Sequence, residues 1–140
     1  MDIGAVTITG IWNAATRTLT DYGLPTTGES SGVAPVAITA GNGAKGSYVT
    51  VIAATAAASK YLIISLETTA ITNFAVDISV GPAASEVVVI PNINVQMTTA
   101  VGSETFLFAV PFKIASGSRI AARAQSSAAN TINIALTVLE

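Results

Sequence analysis

Cysteine and histidine are both absent from this 140-residue chain. Their absence excludes disulfides, zinc sites built from these residues, and catalysis by a cysteine or histidine nucleophile or base. The eight acidic residues are well separated, so they have neither the spacing of a calcium loop nor an evident carboxylate pair for glycoside hydrolysis. We therefore expect no enzymatic activity, no metal and no cofactor.

Charge is also scarce, since only 10% of the residues are charged and the net charge is −2. The basic residues are too scattered to follow a phosphate backbone, so we expect no nucleic-acid partner. The longest apolar stretches, around 51–58 and 61–64, are too short and too interrupted to span a membrane. Yet 51% of the residues are hydrophobic, which indicates burial in a core or against neighbouring subunits.

The composition changes near residue 45. Residues 1–45 are rich in glycine, threonine, serine and proline, and their apolar residues are widely spaced. We interpret 1–45 as an N-terminal arm or linker and 46–140 as a separate folded domain. An N-terminal hairpin of the same domain fits residues 1–45 equally well. The glycine-rich stretch at 41–46 lacks the ending of a phosphate-binding loop, so we interpret it as a flexible turn.

Short β-branched and aromatic runs, separated by turn residues, follow residue 46. About seven or eight such strands predict an all-β fold, an antiparallel β-sandwich that is jelly-roll-like. Pro91 and Pro111 are expected to interrupt the strand pattern. An alanine-rich helix competes over 51–60, although its β-branched residues favour a strand. The alternation within the strands predicts an inward-facing set, namely Phe74, Val76, Ile78, Val80, Ile120, Ile132, Ile134, Leu136 and Val138.

Two groups of residues are candidates for a partner interface. Trp12, the only tryptophan, either folds back onto the domain or anchors an interface, and the arm offers further apolar anchors in Ile8, Ile11, Leu19 and Tyr22. Arg119 and Arg123 share one face of a strand. A solvated outer face is the favoured interpretation for them, and the alternative is pairing with acids of a neighbouring subunit, namely Glu67, Asp77 or Glu86.

A segment of the C-terminal half resembles small structural proteins of tailed bacteriophages. It reads Pro-Phe-Lys-Ile-Ala-Ser-Gly-Ser-Arg-Ile-Ala-Ala-Arg over 111–123, and in that family such a segment joins the last two strands of a β-sandwich. The run Ser-Glu-Val-Val-Val-Ile at 85–90 and the short final strand add to the resemblance, which covers roughly residues 46–140.

The resemblance is strongest to capsid decoration (cement) proteins. It implies a homotrimer on the outer capsid surface of the virion, assembled in the host cytoplasm, with the major capsid protein as partner and terminal arms over neighbouring capsomers. The apolar, charge-poor composition is consistent with surfaces covered by other subunits. Tail-fibre and receptor-binding proteins share similar sandwiches, so a module that binds a host glycan or protein is the alternative.

Overall fold

The structure, a computed structural model, describes residues 28–30, 35–96, 98 and 104–139. Within these ranges the chain forms β-strands and no helix, which confirms the all-β prediction. The strands are β1 Gly28–Ser30, β2 Val36–Thr39, β3 Gly41–Asn42, β4 Val49–Ile52, β5 Ser59–Thr68, β6 Asn73–Val80, β7 Val87–Gln96, β8 Glu104–Ile114, β9 Ile120–Ser126 and β10 Thr131–Leu139.

The strands form two sheets. In sheet A, β8 pairs with β5, β5 pairs with β10, and the other edge of β10 is shared by β1 and β2. In sheet B, β7 pairs with β6, β6 pairs with β9, and the other edge of β9 is shared by β3 and β4. All pairs are antiparallel except the two-residue β3, which runs parallel to β9.

The order of pairing is that of a jelly roll. Eight strands pair from the outside of the sequence inwards, as β2 with β10, β4 with β9, β5 with β8 and β6 with β7. Successive pairs alternate between the two sheets, which is the arrangement of a chain folded as two Greek keys. The predicted jelly-roll-like sandwich is therefore confirmed.

The core lies between the sheets and contains the predicted inward-facing residues. All of them are at most 1% exposed except Val80, which is half-buried. Because side chains alternate along a strand, β5 adds a matching set in Leu62, Ile64 and Leu66, each fully buried. The strand registers of β6, β9 and β10 therefore follow from the sequence pattern.

The sandwich begins before residue 46. Within the predicted arm, β1, β2 and β3 pair with β10 and β9, and Ile38 and Ala40 are buried in the core. Residues 36–42 thus belong to the sandwich, as the alternative holds, but they do not form a hairpin, because β2 pairs with β10 in sheet A and β3 with β9 in sheet B. The composition did not indicate that these residues belong to the sandwich, since glycine, threonine and alanine dominate around the few core residues. Residues 1–27 and 31–34 lie outside the described residues.

Neither proline ends its strand. Pro91 lies within β7 and Pro111 within β8, although both were expected to interrupt the pattern. Both strands lie at the ends of their sheets, where a residue without an N–H group removes no bond from a neighbouring strand. The bulged pairing of β6 with β7 places Asn92 at a φ of 51°, a left-handed conformation that asparagine tolerates better than most residues.

The stretch between β4 and β5 is a loop, not a helix. Thr55 lies at its centre and is 3% exposed. The Thr55 hydroxyl donates to the Ala115 carbonyl at 2.8 Å and accepts from the Ser118 amide at 3.0 Å, while the Gly117 amide donates to the Thr55 carbonyl at 2.7 Å. These bonds fasten the loop to the turn at 115–118, which joins β8 to β9. The segment at 111–123 therefore joins β8 to β9, and not the last two strands, β9 and β10.

Candidate interaction surfaces

A cluster of charges on the outer face of sheet B is centred on Asp77 in β6. The Asp77 carboxylate accepts from Lys45 Nζ at 2.7 Å, from Arg123 Nε at 3.0 Å and from the Asn92 amide at 2.9 Å. Lys45 Nζ also donates to the Ala75 carbonyl at 3.1 Å. The carboxylate is thus shared between two cations from different parts of the chain and one backbone amide.

The electrostatics of Asp77 are those of a buried carboxylate with strong partners. Burial by itself raises the pKa of Asp77, but the hydrogen bonds from Lys45, the Asn92 amide and Arg123 outweigh it. The net pKa lies below the ordinary value of 3.8. Asp77 therefore stays ionised at neutral pH and holds three chain segments together.

Arg123 has a second partner in Tyr48. The Arg123 guanidinium carbon lies 4.6 Å from the centroid of the Tyr48 ring, which is within cation–π range. Tyr48 lies just before β4, the strand next to β9 in sheet B. The guanidinium therefore links β6, β9 and the approach to β4.

Arg119 makes a separate set of bonds near the other end of sheet B. Its Nε donates to Thr50 Oγ1 at 2.9 Å, and its Nη1 donates to Glu86 Oε1 at 2.8 Å and to the Gly81 carbonyl at 3.2 Å. The hydrogen bond from Arg119 holds the pKa of Glu86 below its ordinary value of 4.5. Between the Arg119 and Asp77 groups lie Ser79 and Ala121, which face each other across the strands and are fully buried.

The arginine candidates thus pair with two of the three acids named from the sequence, but inside one chain. Asp77 and Glu86 are the acids, and Glu67 has no ion pair among the described residues. The guanidinium side chains are only 18% and 29% exposed for Arg119 and Arg123, respectively. They are therefore less solvated than the favoured interpretation expects. The arm candidates Ile8, Ile11, Trp12, Leu19 and Tyr22 lie outside the described residues.

Lys45 was not among the residues predicted to form an interface, although the glycine-rich loop that holds it stands out in the sequence. The 41–46 loop is fastened down, because the Gly43 amide donates to the Ser126 carbonyl at 2.9 Å and the Gly46 amide to the Ala124 carbonyl at 2.8 Å. A Cβ on Gly41 would collide with the Ala44 carbonyl, so the tight path needs glycine there. A lysine among closely packed glycines was the feature of the sequence that could have indicated a fixed role for Lys45.

The outer face of sheet A, by contrast, carries no charge between the ends of its strands, and the polar residues Ser65 and Thr137 lie among its apolar ones. The central strand β5 presents Tyr61 and Ile63, and the edge strand β8 presents Leu107, Ala109 and Pro111. Leu107 is 70% exposed and Tyr61 is 38% exposed. Three charged residues of these two strands, Lys60, Glu67 and Lys113, make no ion pair within the described ranges.

A shallow groove of about 310 Å³, which we call the amide groove, crosses one end of sheet B. Its lining includes the amide side chains of Asn73, Asn94 and Gln125, none of which has a hydrogen bond to another described residue. No charged residue lines it, and its one aromatic, Phe74, is 1% exposed and offers no stacking platform.

The described residues contain no helix long and apolar enough to cross a membrane. They also contain no cluster of three or more histidine, cysteine or acidic residues that could hold a metal ion.

Comparison with known proteins gives similarity to solved structures alone. No family model and no curated protein matches this chain. Two crystal structures of a pentameric capsid protein isolated from metagenomic phage sequences match at 19% identity, with a TM-score of 0.32. The match covers 74% of this chain but 60% and 62% of the two structures, so this chain spans about three-fifths of their length.

Proposed function

We propose that this protein is a structural component of a bacteriophage virion, a decoration protein that binds the outer capsid surface and reinforces it. The observation that carries the proposal is the outer face of sheet A. It exposes Leu107 and Tyr61 with no charged residue between the ends of β5 and β8. Apolar surface of this kind on a folded domain is typical of an interaction site.

The position of β1 supports a role for the N-terminal arm at the same face. Gly28 pairs with Leu139 at the edge of sheet A, and Leu139 is itself opposite Tyr61 in the next strand. β1 therefore begins at the level of Tyr61 in sheet A. We propose that the arm, with Ile8, Ile11, Trp12, Leu19 and Tyr22 as anchors, lies on a capsid subunit or a neighbouring copy, where each Å² of apolar surface removed from water contributes about 25 cal/mol.

The proposal assigns a structural role and no reaction. Its partners are the major capsid protein and further copies of the chain, and three copies are the number that the resemblance implies. Light scattering on the free protein gives the copy number, because a trimer and a pentamer have three and five times the chain mass of 14.1 kDa. A trimer that forms only on the shell would appear as threefold density at the outer surface of decorated particles.

Binding to capsids that lack the protein tests the role directly. We expect Tyr61→Ser to reduce capsid occupancy and the deletion of residues 1–27 to abolish it, with both variants folded. The matched control is Asn73→Ser, an exposed residue on the outer face of sheet B, which should bind as the wild type does. Full occupancy by both test variants would refute attachment through this face and the arm.

The amide groove on sheet B favours a second candidate, a tail module that binds a neutral host glycan. Amide groups without internal partners can donate to and accept from sugar hydroxyls. The number of copies per virion distinguishes the two roles, since a decoration protein is present in hundreds of copies and a tail module in few. Quantifying the protein against the major capsid protein on a gel of purified particles would decide between them.

A further inference from the structure

The edge strand β8 is open to a further strand. Within the described ranges it pairs only with β5, so no other described strand pairs with the N–H and C=O groups of its second edge. Residues 105–110, Thr-Phe-Leu-Phe-Ala-Val, contain no charge and no proline, and Leu107 at their centre is 70% exposed. A long, apolar and unprotected edge is a template for pairing with another chain.

The other edge strand, β7, is interrupted near its middle, whereas the proline and the register shift of β8 lie near its end, at Pro111 and beyond. Pro91 and the left-handed Asn92 lie near its middle, and its pairing with β6 shifts register twice. Such interruptions prevent the addition of a regular strand. Of the two edges on this side of the sandwich, β8 is the one with a continuous run available for pairing.

Charges are placed at opposite ends of the β5–β8 pair. At one end lies Glu67, beside the position where β8 begins at the acidic residue Glu104. At the other end lie Lys60 and Lys113, next to the pair formed by Ser59 and Ile114. Neither lysine, nor Glu67, has an ion pair among the described residues. The open edge is therefore acidic at one end, basic at the other and apolar between.

We propose that β8 pairs with β8 of a second copy of this chain, antiparallel and about a twofold axis. A twofold axis reverses the direction of the second strand, so that the acidic end of each copy meets the basic end of the other at both ends of the seam. The required complementarity is thus present in a single sequence. Pairing with a parallel second strand would oppose like charges instead.

The side chains on the two sides of the seam, that is, of the boundary between the paired β8 strands, are also matched in exposure. Residues directly opposite each other in an antiparallel pair lie on the same face of the sheet. With Phe108 at the twofold axis, Leu107 of each copy would lie opposite Ala109 of the other on the outer face, where both are exposed. On the inner face Phe106 would lie opposite Val110 of the other copy and Phe108 opposite its own equivalent, and all three already pack against the core. The two copies of sheet A would become one continuous sheet.

The pairing of β8 with β8 does not depend on the proposed role in the virion. It fixes the number of copies that one contact joins. Each β8 edge accepts one partner, so the contact joins copies two by two. Where another surface forms a ring of three, the β8 contact joins neighbouring rings. A cross-link placed at the seam therefore produces a covalent dimer and nothing larger.

Single-cysteine variants test the seam in the full chain, which has no native cysteine. With a short bismaleimide at micromolar protein, Leu107→Cys should give a covalent dimer on a denaturing gel. The matched control is Val87→Cys, which is 65% exposed on the protected edge β7 and should remain monomeric. A folded Leu107→Cys protein that does not cross-link, or equal cross-linking of both variants, would overturn the proposal.

Charge reversal tests the orientation of the two strands. We expect Lys60→Glu with Lys113→Glu to weaken dimerisation by about tenfold at low salt, because both ends of the seam would then oppose acids. Adding Glu67→Lys and Glu104→Lys to that variant reverses the polarity of the whole edge and should restore dimerisation. Wild-type dimerisation of the double variant, or no recovery in the quadruple variant, would overturn the antiparallel arrangement.

Discussion

The outer faces of the two sheets differ in whether their charged side chains form ion pairs within the subunit. On sheet B, every charged side chain that the structure describes has an internal partner, since Lys45 and Arg123 bind Asp77 and Arg119 binds Glu86. On sheet A, the described charged side chains have no such partner and lie at the strand ends. Between them the surface carries no charge, and Leu107 is the most exposed of its large apolar residues.

This difference indicates that the charges of sheet B stabilise the subunit and that those of sheet A act in association. The charges of sheet B connect separate chain segments, so they stabilise the fold of one subunit. The charges of sheet A connect nothing within the described residues, so whatever they contribute comes from association. Substitutions on sheet B should therefore change the unfolding of the isolated protein, and substitutions on sheet A should change its assembly.

The largest expected effect is that of Asp77→Ala. The substitution leaves Lys45, Arg123 and the Asn92 amide without their shared acceptor in a site where Asp77 is 3% exposed. Removing one partner of a buried ion pair costs about 3–5 kcal/mol. Chemical denaturation of the isolated protein measures this loss of unfolding free energy.

The matched control on sheet A is Glu67→Ala. Since Glu67 has no ion pair in the described part of the chain, its removal should change the unfolding free energy by less than about 0.5 kcal/mol. Equal losses for the two variants would show that the faces do not differ in the way proposed.

Acid should destabilise sheet B selectively. The pKa values of Asp77 and Glu86 are lowered in the folded state, below 3.8 and 4.5, respectively. A lowered pKa stabilises the folded state at pH values above the unfolded pKa, and this contribution is lost as the pH falls through the folded pKa. We therefore expect the melting temperature to fall below about pH 4.5, and Asp77→Asn to show a weaker dependence over the same range. An unchanged pH profile in Asp77→Asn would contradict this assignment.

The sequence predicted what alternation and turn residues determine. The strands from β4 onwards, the inward-facing set and the sharing of one face by Arg119 and Arg123 all follow from a period of two. That Asp77 and Glu86 are the acids nearest the arginines was also within reach, because antiparallel neighbours place outward-facing residues side by side.

The predictions that were wrong concern residues whose environment is set by strands distant in sequence. Pro91 and Pro111 end a strand only where their missing N–H group is needed, and edge position is a property of the whole sheet. Likewise, nothing local shows that Ile38 and Ala40 join the core through a pairing with β10, almost a hundred residues later. Whether Arg119 pairs within one chain or between two was likewise undetermined before the topology was known.

A smaller effect is expected for Arg119→Lys. Lysine can keep the ion pair with Glu86, but it has no fork of donors to reach Thr50 Oγ1 and the Gly81 carbonyl at the same time. Losing these bonds should lower the unfolding free energy by about 1 kcal/mol. The reverse change on sheet A, Lys113→Arg, should leave the unfolding free energy unchanged. Equal changes in Arg119→Lys and Lys113→Arg would contradict the role assigned to the Arg119 guanidinium.

The smallest effect should come from the ring beneath Arg123. In Tyr48→Leu a similar amount of apolar surface remains, but the attraction between the guanidinium and the ring face is lost. At a partly exposed site such a cation–π contact contributes about 0.5–1 kcal/mol. Tyr61→Leu on sheet A is the matched control, because no cation lies over a Tyr61 ring in the described structure, and it should be neutral in the isolated protein. A double-mutant cycle of Tyr48→Leu with Arg123→Gln isolates the contact, and a coupling energy near zero would show that the ring contributes nothing to the stability of sheet B.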